Sequence, residues 1–165
     1  MRRSLVATVV AAVLVLAAPA AAGLPNAGTL VPGRSLGGIR LGESPGAVRA
    51  ALGTFYGACR GCLRQTWYFT YRPFDRQGLA VEFTGGRVSG AYTLWRPRGW
   101  HAPHDLRFGA TPLAVHALDH TTGTVTCGAY EALVSDSAHA RTAYYLLGGT
   151  LWGFGLFRRD ASPCR

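Results

Sequence analysis

The chain has 165 residues and a formal net charge of +9, and all 17 of its basic residues are arginine. This length suits one ordinary domain. The arginines are scattered, and no basic run is interleaved with aromatic residues, so we expect no nucleic-acid partner. Weak contact between the basic surface and anionic envelope polymers is possible.

The chain begins with the pattern of a secretory signal peptide. Two arginines precede an apolar run over 5–18, and an A-x-A cleavage site ends at Ala22. The apolar run is shorter than the roughly 20 residues that span a bilayer. We therefore predict a signal peptide over 1–22, a secreted or extracytoplasmic location after cleavage, and a loose Pro/Gly-rich segment over 23–34.

The rest of the chain repeats itself. Residues 39–50 (IRLGESPGAVRA) return as residues 106–117 (LRFGATPLAVHA), and GGRVSG at 85–90 returns as GGTLWG at 148–153. Two related modules in tandem constrain the fold strongly but reveal no reaction. The predicted boundaries are a first module over 35–95, a linker over 96–103 and a second module over 104–165.

The sequence predicts the same local elements in both modules. Ser44 and Thr111 are N-cap residues, and each precedes a proline at the first helical position. Apolar alternation predicts three strands per module, and a Gly-Gly turn joins the last two. The predicted strands are 65–71, 79–83 and 87–95, then 130–134, 142–147 and 150–157.

Each module is only about 60 residues long, so neither is expected to form a stable hydrophobic core alone. The two modules are therefore expected to pack together. We predict an α+β fold in which two helix-plus-antiparallel-sheet modules form one two-lobed domain.

Four cysteines in an exported chain are expected to form two disulfides. Three pairings are possible. Cys62 and Cys127 occupy matching places in the repeats, after the helix and before a strand. The economical pairing closes each module separately, as Cys59–Cys62 and Cys127–Cys164. The C-x-x-C spacing also fits a redox or zinc site, but no helix N-terminus is available to lower a thiol pKa and no second C-x-x-C exists.

The motif I-x-L-G-x-S/T-x-x-x-V, the helix, the Trp-bearing strand and the Gly-turned hairpin resemble the BamE/SmpA outer-membrane-assembly lipoproteins. A tandem copy with one disulfide expected per module is more similar to the β-lactamase inhibitory protein family. In that family, two such modules form a concave sheet surface that grips a partner protein. The resemblance implies a secreted, non-catalytic protein-binding or inhibitor-like module whose partner is another extracytoplasmic protein. We expect it to act as a monomer without metal or cofactor.

An extracytoplasmic enzyme and an envelope-associated binder of anionic polymers are the alternative functions. The enzyme would use histidine and aspartate near the linker and second helix. A zincin helix needs H-E-x-x-H, and the residues between the two helical histidines are Ala117, Leu118 and Asp119. The pattern therefore predicts no catalytic residue. The candidates weighed are His101, His104, Asp105, His116, Asp119 and His120.

An asymmetry between the modules indicates a candidate binding surface. Strict alternation puts Ser89, Ala91 and Thr93 on the open face of the first module. It assigns Val88, Tyr92, Leu94, Leu151, Gly155 and Phe157 to the helix-covered face, and Trp152, Phe154 and Leu156 to the open face. Because aromatic residues are favoured interface anchors, we predict that Tyr145, Trp152 and Phe154 line the partner-facing concave surface. The alternative is that these rings pack against the first module or the linker.

Overall fold

The computed structural model describes residues 24–120 and 123–165, so the expected signal peptide over 1–22 lies outside the described residues. Two α-helices, α1 (Pro45–Leu52) and α2 (Pro112–Leu118), and a short 3-10 helix (Pro103–Asp105) accompany the strands. The strands in chain order are β1 (Leu30–Val31), β2 (Ser35–Leu36), β3 (Gly57–Ala58), β4 (Gln65–Thr70), β5 (Gly78–Thr84), β6 (Arg87–Leu94), β7 (His101–Ala102), β8 (Leu106–Arg107), β9 (Gly123–Cys127), β10 (Tyr130–Asp136), β11 (Ala140–Leu147) and β12 (Thr150–Arg158).

One antiparallel sheet of eight strands runs through both halves of the chain. Its strand order is β3-β4-β5-β6-β12-β11-β10-β9. The pairs β1-β2 and β7-β8 form two small separate sheets. The predicted α+β class with two packed modules is therefore wrong, because the structure is 44% strand and 13% helical and its main sheet is continuous.

The pairing of β6 with β12 joins the two halves. Tyr92 pairs with Gly155, and Gly90 pairs with Phe157. A Cβ atom on Gly90 or Gly155 would lie 2.6 or 2.5 Å from the Phe157 ring, so only glycine fits beside that ring. If each half formed its own three-stranded sheet, β6 and β12 would be edge strands with unpaired backbone groups. The pairing of β6 with β12 satisfies those groups and removes both edges.

The two helices begin as the sequence predicts. Ser44 Oγ accepts a hydrogen bond from Ala47 N at 3.2 Å, and Thr111 Oγ1 accepts one from Ala114 N at 3.3 Å. The helices lie on one face of the sheet and contribute buried residues to the larger core cluster: Val48, Leu52 and Val115.

Several local predictions are confirmed. The six predicted strands are present with bounds within two residues, and the glycines at 85–86 and 148–149 all have positive φ. Both predicted disulfides, Cys59–Cys62 and Cys127–Cys164, are present. The edge strands β3 and β9 were not predicted, since β3 has two residues and β9 is rich in Gly and Thr. No helix within the described residues has the length and apolar character to cross a membrane.

A β-bulge interrupts each long hairpin at a matching place. The extra residue is Ser89 in β6, opposite the step from Glu82 to Phe83. In β12 it is Trp152, opposite the step from Tyr145 to Leu146. A bulge inserts one residue into a strand, so the alternation of faces shifts by one beyond it.

Candidate functional site

The face of the sheet opposite the helices carries a second hydrophobic cluster, here called the second face. Its core comes mainly from β10, β11 and β12, and partly buried rings pack around it. The buried members are Ala132, Val134, Ala143, Tyr145 and Phe157, and the flanking members are Tyr92, Val125, Cys127, Tyr130, Trp152 and Ala161.

The second face contains two of the three predicted contact residues. Tyr145 and Trp152 stack there with ring centroids 5.5 Å apart. Phe154 instead lies in the helix-side core, fully buried, with its ring centroid 4.9 Å from that of Phe108. The structure therefore places Phe154 away from the other two rings.

The face assignments from strict alternation are wrong beyond the bulges. Leu151 and Phe154 both belong to the helix-side cluster although they are three residues apart, because Trp152 is the extra residue of the bulge. Residues that exchange faces relative to the prediction are Ala91, Tyr92, Phe154, Leu156 and Phe157.

Residues 159–165, here called the tail, cover part of the second face. Tyr145 is only 1% exposed, and its hydroxyl donates a 2.7 Å hydrogen bond to the carbonyl oxygen of Pro163. The disulfide from Cys164 to Cys127 fixes the tail to the edge strand β9. The tail thus keeps the Tyr145 ring from solvent.

Arg165 links the tail to the first half of the sheet. Its Nε lies 2.6 Å from Glu82 Oε1, and its Nη2 donates to Oε2 at 2.8 Å. The guanidinium carbon lies 4.3 Å from the centroid of the Phe157 ring and 5.7 Å from that of Tyr92. Arg64 Nη1 also lies 3.7 Å from Glu82 Oε2. Glu82 is buried, so the attraction of this ion pair must offset its desolvation. The Nη2 group makes a hydrogen bond to the carboxylate, whereas the close Nε contact lacks hydrogen-bond geometry.

One tryptophan at the border of the second face is accessible to solvent. Trp95 follows β6, is half exposed and lies with its ring centroid 6.2 Å from that of Trp152. Trp95 and Arg96 both have positive φ, 35° and 38°, which is unfavourable for side chains of this size. The indole Nε1 of Trp152 is shielded from solvent and has no acceptor among the described residues. Trp95, Trp152 and Tyr130 together are here called the aromatic rim.

No role was predicted for Trp95, which is the last residue of the predicted strand 87–95 and directly follows the observed end of β6 at Leu94. Its strained backbone turns the ring toward Trp152, and neither the turn nor the contact has a sequence signature. The Arg96 N–H donates to the carbonyl oxygen of Trp152 at 3.3 Å, which holds this turn against β12.

Three tyrosines of the two clusters have pKa values above the ordinary value. Burial raises the pKa of Tyr145 and is the main cause for Tyr92 and Tyr144 as well. For Tyr144, a hydrogen bond from its hydroxyl to Asp119, at 2.7 Å, adds to the rise in pKa. These hydroxyls remain neutral hydrogen-bond donors at physiological pH.

The histidine and aspartate candidates fall in two places: His101, His104 and Asp105 lie in the β7–β8 hairpin, and His116, Asp119 and His120 lie in α2 or directly after it. His101 Nε2 lies 3.4 Å from Thr29 Oγ1, and the exposed Asp105 pairs with Arg107 at 2.6 Å, which lowers the pKa of Asp105. Asp119 follows α2 and accepts the hydrogen bond from Tyr144. Over residues 24–120 and 123–165, no group of three His, Cys, Asp or Glu side chains is placed to hold a metal ion.

A comparison of the chain with protein-family models, curated proteins and solved structures finds no match.

Proposed function

We propose that this protein is a secreted, non-catalytic binding module that holds another extracytoplasmic protein against the aromatic rim of its second face. Inhibition of that partner is the mode of action that the family resemblance suggests. The single observation that carries the proposal is the half-exposed, strained Trp95 packed against Trp152.

Strain and partial exposure at Trp95 both favour a contact role. A non-glycine residue with positive φ persists only where the surrounding structure holds it, and such residues cluster at functional sites. Tryptophan is also the residue type most enriched among interface residues that dominate binding energy.

Trp152 supports the same surface. Its ring is partly exposed and its centroid lies 6.2 Å from that of Trp95, so both rings border the same surface. Arg96 is exposed beside it, and the chain as a whole is strongly basic, so we expect the partner to present an acidic surface.

Export is proposed on three grounds. The sequence of 1–22 has the signal-peptide pattern, two disulfides suit an oxidising compartment, and none of the described cysteines is unpaired.

The tandem repeat then accounts for the matching helices, hairpins and bulges of the two halves as descendants of one ancestral module.

The test uses the immobilised full-length protein to capture partners from an extracytoplasmic fraction, followed by titration of the captured protein. Trp95→Ala is expected to weaken binding by about thirtyfold, which corresponds to a loss of about 2 kcal/mol at a central tryptophan. Leu113→Ala is the matched control, because Leu113 is an exposed apolar residue on α2. Equal binding by wild type and Trp95→Ala would refute the proposed surface.

A class A β-lactamase is the direct probe of inhibitor activity. We expect the wild-type chain to slow hydrolysis of a chromogenic substrate and Trp95→Ala to relieve that inhibition. An unchanged rate with the wild-type chain would remove this partner class while leaving the capture experiment to decide on protein binding.

A further inference from the structure

An open groove of about 1010 Å³ has a lining that includes none of the three residues of the aromatic rim, although Gln77 in its wall donates a hydrogen bond to the carbonyl oxygen of Arg96 at 3.0 Å. The end of α1, the loop between β4 and β5 and the first described residues form its walls. The lining residues that bear on ligand binding are Asn26, Phe55, Arg72, Phe74, Asp75 and Arg98.

Two aromatic rings stand exposed at this groove. Phe55 is 57% exposed and Phe74 is fully exposed at 103%. Phe74 also has a φ of 61°, a conformation that is strained for a bulky side chain. Neither ring contacts another aromatic ring of the described chain, so the exposed part of each ring is available to a ligand.

The groove also contains two guanidinium groups without partners. Within residues 24–120 and 123–165, the side chains of Arg72 and Arg98 form no hydrogen bond, ion pair or ring contact. The free guanidiniums are therefore suited to bind anionic groups of a ligand.

Polar side chains complete the lining. Asp75 Oδ1 accepts a hydrogen bond from Gln77 N at 3.0 Å, which orients the carboxylate at the groove. Asn26 offers an amide donor and acceptor. Such groups match the hydroxyls of a sugar, whose apolar C–H faces can lie on exposed aromatic rings.

We propose that this groove binds an acidic glycan, a polysaccharide segment whose sugars carry carboxylate groups. Phe55 and Phe74 supply stacking surfaces, and Arg72 and Arg98 pair with the carboxylates. An acyl chain would leave the polar lining unmatched, whereas a sugar hydroxyl can donate a hydrogen bond to the Asp75 carboxylate.

The binding experiment uses three fluorescently labelled probes and the full-length protein. They are an oligogalacturonate, its methyl ester, which keeps the sugars but removes the charge, and polyglutamate, which keeps the charge but has no sugar rings. The oligogalacturonate is expected to bind, and loss of the two arginine–carboxylate pairs is expected to weaken binding of the ester roughly tenfold. Polyglutamate is expected to bind more weakly than the oligogalacturonate.

Variants locate the site. Phe74→Ala and the double substitution Arg72→Gln/Arg98→Gln should each weaken oligogalacturonate binding by roughly tenfold. The matched controls are Leu63→Ala and Arg60→Gln in the loop before β4, where Leu63 is equally exposed at 106%. These controls should bind like the wild type, and unchanged unfolding midpoints would show that every variant is folded.

Three outcomes would overturn the proposal. They are no binding of oligogalacturonate, equal binding of polyglutamate with no effect of Phe74→Ala, and an equal loss in the control variants. The last two would indicate general attraction to a basic surface. Trp95 is not among the residues that line this groove, so failure here and failure of the protein-binding proposal are separate results.

Discussion

Removing the Cys127–Cys164 bridge should destabilise the protein more than removing Cys59–Cys62. The first bridge joins residues 37 positions apart and the second joins residues three positions apart. The chain-entropy estimate for the two closed loops is about 3.9 and about 1.9 kcal/mol. The difference arises because the longer loop restricts many more conformations of the unfolded chain.

The structure adds a folded-state contribution to the longer bridge. Cys164 holds the tail, so its release also weakens the hydrogen bond from Tyr145 to Pro163 and the ion pair between Arg165 and Glu82. We therefore expect Cys127→Ala/Cys164→Ala to lose at least about 2 kcal/mol more unfolding free energy than Cys59→Ala/Cys62→Ala.

Guanidinium-induced unfolding of the two double variants, followed by circular dichroism, measures this difference. Tryptophan fluorescence should also change in the native baseline of the first variant, because the tail contacts Tyr145 and the Trp152 ring stacks on Tyr145. Equal losses, or a larger loss for Cys59→Ala/Cys62→Ala, would refute both the loop-length reasoning and the anchoring role of the tail.

Three further substitutions test the two clusters. Phe154→Ala should cost about 3–5 kcal/mol of unfolding free energy, because Phe154 is fully buried on the helix side, and a loss below about 1 kcal/mol in urea unfolding would contradict that placement. Glu82→Ala should cost about 3–5 kcal/mol by leaving Arg165 unpaired on the second face, and a wild-type midpoint would show that the ion pair is dispensable. The raised pKa of Tyr144 stabilises the fold at pH values below the ordinary tyrosine pKa of 10.0, and this stabilisation is lost as the pH rises above 10.0. Tyr144→Phe should therefore make the decline in melting temperature at alkaline pH shallower. An unchanged slope would argue against the burial of this hydroxyl.

Local features were predictable because their hydrogen bonds close within a few residues. Ser44 and Thr111 cap helices through N–H groups three residues ahead, and the two Gly-Gly turns need positive φ that glycine adopts freely. The disulfide pairing followed from the matching places of Cys62 and Cys127, since a bridge within each half needs no knowledge of how the halves meet.

The candidate site was only partly predictable. Alternation placed Tyr145 and Trp152 on the face opposite the helices, where the structure also has them. It did not identify Trp95, and it placed Phe154 on the wrong face. The bulge at Trp152 is responsible, because one extra residue reverses the faces of the rest of β12.

The sequence by itself therefore determined the helices, the hairpins and the bridges, all of which depend on neighbouring residues or on the repeat. Only the tertiary structure decided that β6 pairs with β12, that the tail covers Tyr145 and that Arg165 reaches Glu82. These outcomes depend on contacts between distant residues: an edge strand pairs with whichever edge is available, and a buried carboxylate with whichever cation reaches it. No periodicity in one segment carries information about a partner that lies 83 residues away along the chain.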